Sequence, residues 1–344
     1  MKKFVIILLT ALILTGCAGG GGKSENVVNV YNWGEYMDKT ILEDFEKETG
    51  IKVKYDTFVT NEDLYVKMKK GGDAYDVIVP SDYMIERMIK ENLIQPLDKS
   101  KISTLENINP DLMNASYDPE SKYSVPFLWG TLGIVYNKNN VSETVDSWDI
   151  LWKEEYKNKI VMLESSRDSI GIALIRLGYS INTKNENELE EAKKLLIEQK
   201  PLVLAYQVDQ TKDMVIGEET DLAVMYSGDA YDAVRQNENL NYVVPKEGSN
   251  LWFDSMVIPT NAKNVENAHK FIEYMGRPEV AAKLANYVGY STPNIKARDL
   301  LENDMKNSPI VFPELDKLNN LEVFNDPGDT IVLYDKIWTD VISE

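Results

Sequence analysis

The stretch SVPFLWGTLGIVYN, residues 124–137, is an extended run of β-forming and apolar side chains, and a second, LWFDSMVIPTNAKN, follows at 251–264. Both interrupt an otherwise regular alternation of short strands and helices. Two strands that run from one sheet system into another make a double connection between two lobes, with the second lobe inserted into the first. On this reading residues 27–127 and 256–304 form lobe 1, while 128–255 and 305–344 form lobe 2.

The sequence around these crossings follows an α/β plan. Val28, Val30 and Tyr31 open a short strand. IKVKYDTF (51–58) comes after a helix carrying Ile41, Leu42 and Phe45, which Gly50 closes; DVIVP (76–80) comes after a helix that starts near Thr60, with Asp63 completing a capping box. KIVMLE (159–164), LVLAY (202–206) and LAVMY (222–226) are each trailed by a helical pattern, as in mostly parallel sheets. Later, Ala268, Phe271, Ile272 and Met275 form one apolar stripe, and Val280, Ala281, Leu284, Ala285 and Val288 form another after Pro278. Ile331, Tyr334, Trp338 and Val341 share one face of a final helix, which is expected to dock rather than fray.

The N-terminus reads as an export and anchoring signal. Lys2 and Lys3 precede FVIILLTALILT, an apolar run of 12 residues that is too short to span a bilayer but suits a secretory signal. LTGC, Leu14 to Cys17, resembles the bacterial lipobox, which implies cleavage after residue 16 and lipidation of Cys17. Residues 17–26 then form a Gly-rich tether. The GKS inside it is a decoy for a phosphate loop, because the required upstream Gly position is Cys17 and no strand leads in. Cys17 is the only cysteine, so an exported chain has no internal disulfide and relies on its core. The 328 residues left after cleavage suffice for two domains. The formal charge is −19, or −21 once Lys2 and Lys3 are removed. That balance argues against nucleic acid as a partner; it would draw in cations, and it equally serves solubility alone.

Catalytic parts are scarce. The one histidine, His269, sits in the Ala268–Met275 stripe and reads as a packed or surface residue. Without a second His or a free thiol, His-based triads, Cys–His pairs and zinc sites have nothing to be built from. No metal or cofactor is expected. A hydrolase using two carboxylates remains an alternative, since 56 Asp and Glu are present. A receptor for another small organic cation is a second.

Acids beside aromatics do recur, and they recur at strand ends. Trp33, Glu35 and Tyr36 follow the first strand; Ser81, Asp82 and Tyr83 follow VIVP; Asp168 opens the helix after VMLE; Tyr226 and Asp229 follow LAV; Trp252 and Asp254 lie on the second crossing. Ligands of open α/β sheets bind at the carboxyl ends of strands. Aromatic faces attract ammonium groups by about 0.5 to 2 kcal/mol each, and a carboxylate supplies the charge a desolvated cation needs. Buried methylenes between rings add about 0.8 kcal/mol apiece. The combination suits a flexible organic polycation.

YNWGEYM, LEDFEKETGIKV, AYDVIVPSDY, YSVPFLWGTLGIVYN, LWFDSMVIPTNAKN and VGYSTPN together resemble the spermidine/putrescine-binding lipoproteins and periplasmic proteins that feed polyamine ABC importers. The likeness runs from about Val28 to the last helix. It implies a two-lobed periplasmic-binding-protein fold of type II with a two-strand hinge. It also implies an extracytoplasmic receptor that closes on its ligand, docks on a membrane permease and is held to the membrane by its lipid. Carried over residue by residue, the aromatic walls fall on Trp33, Tyr36, Tyr83, Tyr226, Trp252 and Tyr290. Ser81 falls where relatives hydrogen-bond an amine, and Asp168 and Asp254 fall where they place anionic partners. Ser165 replaces an acid of the spermidine-binding branch, Tyr226 its Trp and Phe324 its Gln, while Asp229 stands where a putrescine-binding branch has an acid. Spermidine and putrescine are both left open as ligands.

Overall fold

The computed structural model describes residues 26–34, 36–71 and 75–344. The signal segment, most of the tether, Cys17 and Glu35 lie outside the described residues.

The first part of the chain alternates as its sequence predicts. Strand β1 (Val27–Trp33) leads to α1 (Lys39–Thr49), β2 (Lys52–Phe58), α2 (Asn61–Lys69), β3 (Val77–Ile78), α3 (Asp82–Lys90) and β4 (Ile94–Gln95). Asp38 starts α1 by accepting from the Thr40 N–H, and Gly50 ends it at φ +68°, a conformation that favours glycine. Thr60 caps α2 by accepting from the Asp63 N–H at 3.1 Å. β1 pairs in parallel with β2 on one side and β3 on the other.

Strand β5 (Ser124–Asn137) covers the whole predicted crossing. Past it come β6 (Ile160–Leu163), α4 (Ser166–Leu177), α5 (Glu186–Gln199), β7 (Val203–Gln207), α6 (Gln210–Ile216), β8 (Leu222–Tyr226), α7 (Ser227–Gln236) and β9 (Leu240–Val243). Here β6 pairs in parallel with β7 and β8. The second crossing, β10 (Ser249–Pro259), begins and ends earlier than the sequence suggests. Pro259 has no N–H to continue a ladder, and residues 260–264 instead turn into α8 (Val265–Met275). The Lys263 and Asn264 N–H groups of that turn donate to buried Asp76, which also accepts from Asn29 N and so ties the turn to β1. The chain finishes with α9 (Pro278–Val288), short helices α10 (Ile295–Arg298) and α11 (Asn303–Lys306), β11 (Leu321–Glu322) and α12 (Ile331–Ser343).

The sheet order is β2-β1-β3-β10-β5-β8-β6-β7, with β4 and β11 on β10 and β9 on β5. Two parallel sets are therefore joined through one antiparallel pair. β5 uses residues up to Thr131 on β10, then from Leu132 onward turns to β8 and β9. The two predicted crossings thus lie side by side.

Each set has its own core. Phe45 and Phe271 meet edge-on at 5.3 Å beside the β1 set. Trp148 is fully buried on the β8 side and donates from Nε1 to the Gly248 carbonyl at 2.9 Å. Tyr334, Ile337 and Val341 dock α12 against α4 and α5, with Trp338 half-buried on Tyr206. His269 is buried: Nε2 accepts from the Asp98 N–H at 3.0 Å, so Nδ1–H donates to the Val265 carbonyl at 2.8 Å. Those bonds fix its tautomer and make it structural.

Candidate functional site

The strand exits of both halves meet along β10. Trp252 stands opposite Gly130 of β5, and a Cβ on Gly130 would lie 2.6 Å from the indole. A Cβ on Gly228, at the start of α7, would lie 2.3 Å from the Tyr290 ring. Glycine at both positions lets backbone approach an aromatic wall. From Trp252 the wall extends two ways: Tyr290 crosses it at 5.2 Å and Tyr226 at 6.0 Å. Tyr36 continues from Tyr290 at 5.6 Å, and Trp33 from Tyr36 at 6.4 Å.

Three carboxylates project among these rings. Asp254, 4 % exposed, accepts from Ser81 Oγ at 2.7 Å and also from the Tyr36 hydroxyl. A β-bridge between residues 81 and 254 brings them together, where β3 has ended and α3 begins. Burial pushes the Asp254 carboxyl up to about 6, with the two hydroxyls opposing the rise. Asp168, in the first turn of α4, accepts from Ser165 Oγ at 2.6 Å and Tyr226 Oη at 2.8 Å. Its burial raises it as well, against those hydrogen bonds. Asp229, in the first turn of α7, accepts from Tyr290 Oη at 2.6 Å. Desolvation raises Asp229 too, with Tyr290 and Lys212 opposing.

Ten of the twelve ligand residues expected from sequence belong to this connected network: Trp33, Tyr36, Ser81, Tyr83, Asp168, Tyr226, Asp229, Trp252, Asp254 and Tyr290. Glu35 lies outside the described residues. Asp82 is held by backbone instead of by side chains of this network. Its Oδ1 accepts from the Tyr83 N–H at 2.7 Å and its Oδ2 from the Phe253 N–H at 3.2 Å, so it clamps α3 to β10. Burial pushes its carboxyl well up, and the two N–H groups oppose that.

Several participants were not legible in sequence. Asn61, the first residue of α2, donates from Nδ2 to Ser81 Oγ at 3.1 Å and Tyr83 Oη at 3.2 Å, and accepts from the Ser81 N–H. Asn250 donates to Asp168 Oδ1 at 3.5 Å. Arg167 is buried against Phe324 at 4.4 Å and Tyr334 at 4.9 Å, and faces Tyr83 across the cleft at 5.5 Å. Only the neighbouring Asp168 hinted at it. Among the described residues no group of three or more His, Cys, Asp or Glu stands where a metal ion could be held.

Aromatic faces with buried, hydroxyl-held carboxylates can take up an organic cation without covalent chemistry. Comparison with known proteins agrees with that architecture. Residues 40–313 match the bacterial extracellular solute-binding protein family. The chain is 39% identical over 341 residues to the spermidine/putrescine-binding periplasmic protein of Salmonella typhimurium, covering 98% of each. Its structure superposes on the spermidine/putrescine ABC transporter substrate-binding protein PotD of Streptococcus pneumoniae with a TM-score of 0.79 and 43% identity, covering 91% of this chain and 99% of that one. The Tp0655 lipoprotein of Treponema pallidum gives a TM-score of 0.84 at 27% identity, covering 92% and 99%. With the two sheet sets joined by β5 and β10, the cleft along them and these matches over nearly its whole length, the chain belongs to the family of bacterial extracellular solute-binding proteins.

Proposed function

We propose that this protein is an extracytoplasmic receptor for linear polyamines, spermidine or putrescine, and delivers them to an ABC importer permease. The observation that carries the reading is Asp254: a buried carboxylate whose side-chain partners among the described residues are hydroxyl groups, beside the walls of Trp252 and Tyr36. A desolvated anion so placed lacks a countercharge, and an ammonium group supplies it. Asp168 supplies a second anionic position in the same aromatic cleft. Alkyl segments between the ammonium groups would lie against Trp33, Tyr36, Tyr226, Trp252 and Tyr290. The names of the relatives support the same ligand class.

Residues 27–127 with 256–304 and residues 128–255 with 305–344 are the lobes in this proposal, and β5 and β10 are the hinge. Cleavage after residue 16 leaves Cys17 to carry a lipid, and residues 17–26 tether the receptor to the membrane. Its partners are the polyamine, the permease and the membrane reached through the lipid, with no nucleic acid. Isothermal titration calorimetry with putrescine, cadaverine, spermidine and spermine tests the reading. Micromolar or tighter binding of at least one is expected, and millimolar or weaker binding of all four overturns it.

A further inference from the structure

The three cleft carboxylates are not electrically alike. Among the described residues Asp168 and Asp254 have no lysine or arginine nitrogen within the 4.0 Å that defines an ion pair, whereas Asp229 does. Lys212 Nζ stands 3.9 Å from Asp229 Oδ1 and 3.3 Å from Asp232 Oδ2. The other Asp229 oxygen is held by Tyr290. Buried Thr211 and Val215 fix α6 in the lobe, which places Lys212 beside the first turns of α7. The side chains of Lys212 and Asp229 remain 30% and 38% exposed, so this pair lies at the rim, whereas Asp168 and Asp254 lie in the interior.

We propose that Lys212 is a specificity-determining residue. Its ammonium provides Asp229 with a cation from the protein itself, which biases the cleft toward a diamine and against a triamine. The inference rests on the polyamine reading above. A diamine can place its two ammonium groups at Asp168 and Asp254. A third ammonium directed to Asp229 meets Lys212, must move it away from that carboxylate, and bears the repulsion of like charges until it does. The charge of Arg167 also opposes the rise at Asp168, but its guanidinium lies over Phe324 and Tyr334 and forms no ion pair with that carboxylate.

The test is the ratio of putrescine to spermidine dissociation constants, measured by calorimetry on the parent and three variants. Lys212→Gln is expected to move the ratio toward spermidine by about tenfold, and Lys212→Arg to retain the parent ratio. Lys52→Gln removes the same charge at the start of β2, the end away from the Trp33 exit, and controls for the general field. A ratio within about threefold of the parent in Lys212→Gln, or an equal shift in Lys52→Gln, overturns the inference alone. Failure of the parent to bind either amine overturns the polyamine reading and this inference with it.

Discussion

Asp254→Asn separates the binding role of this carboxylate from a structural one, because the two roles predict opposite effects on the ligand-free protein. Burial raises the Asp254 carboxyl from 3.8 to about 6. The folded chain therefore holds more protons than the unfolded chain between about pH 4 and 6, and ligand-free stability falls as pH rises through that window. Above it the ionised carboxylate costs the folded state about 3 kcal/mol at roughly 1.4 kcal/mol per pKa unit. Asparagine keeps the shape, removes the charge and can still bond to Ser81 and Tyr36, whose hydroxyls donate or accept. The ligand-free variant should melt at the parent temperature or several degrees above it, up to the equivalent of about 3 kcal/mol. Polyamine affinity should change in the other direction, since an unpaired desolvated ammonium costs about 3 to 5 kcal/mol, or two to four decades in Kd. Calorimetry and thermal melts at pH 7.5 read both quantities. Glu190→Gln, on an exposed position of α5, is the control and should alter affinity slightly at most. Binding by Asp254→Asn within about threefold of the parent would refute the assignment and leave Asp168 or Asp229 to carry the charge. A lower melting temperature with undiminished affinity would make Asp254 structural.

Affinity should fall by up to about tenfold per pH unit below about 6, as the ligand has to displace a proton from Asp254; a flat calorimetric profile between pH 5 and 7.5 would contradict this. If β5 and β10 are the hinge, saturating polyamine should reduce the radius of gyration in small-angle scattering, and an unchanged profile with binding confirmed would indicate a preformed cavity. Cys17→Ser should leave the protein unlipidated and poorly processed, while a soluble form lacking residues 1–25 binds as the parent does; loss of binding in that form would make the tether part of the receptor. Asp76→Ala leaves the N–H groups of Asn29, Lys263 and Asn264 without their buried acceptor and should lower stability by at least about 3 kcal/mol in denaturant titration. An unchanged midpoint would show that this tie between β1 and the α8 turn is dispensable.

Local pattern determined the elements. The stripe of Ile41 and Phe45 ahead of Gly50, and the helix start near Thr60, set helix faces and ends within a few residues of chain, and the structure places them as read. The long apolar run at 124–137 likewise defined a crossing strand, and most of the acids and aromatics at strand exits meet in one connected network. Periodicity can encode these because it reports which face is buried. Tertiary structure decided what each polar atom does. Asp82 and Asp254 are both acids next to strand ends, yet Asp82 is engaged by Phe253 N, 171 residues away, and Asp254 by Ser81 Oγ, 173 residues away. The first set of partners is backbone and turns a carboxylate into a clamp. The second is hydroxyl and leaves a carboxylate able to take a cation. The same holds for Asn61, whose role rests on Ser81 and Tyr83, and for Asp229, whose charge is met by Lys212 on a different helix. Hydrogen-bond and ion-pair partners are chosen by the crossing of distant segments, and no local period in the chain records that choice.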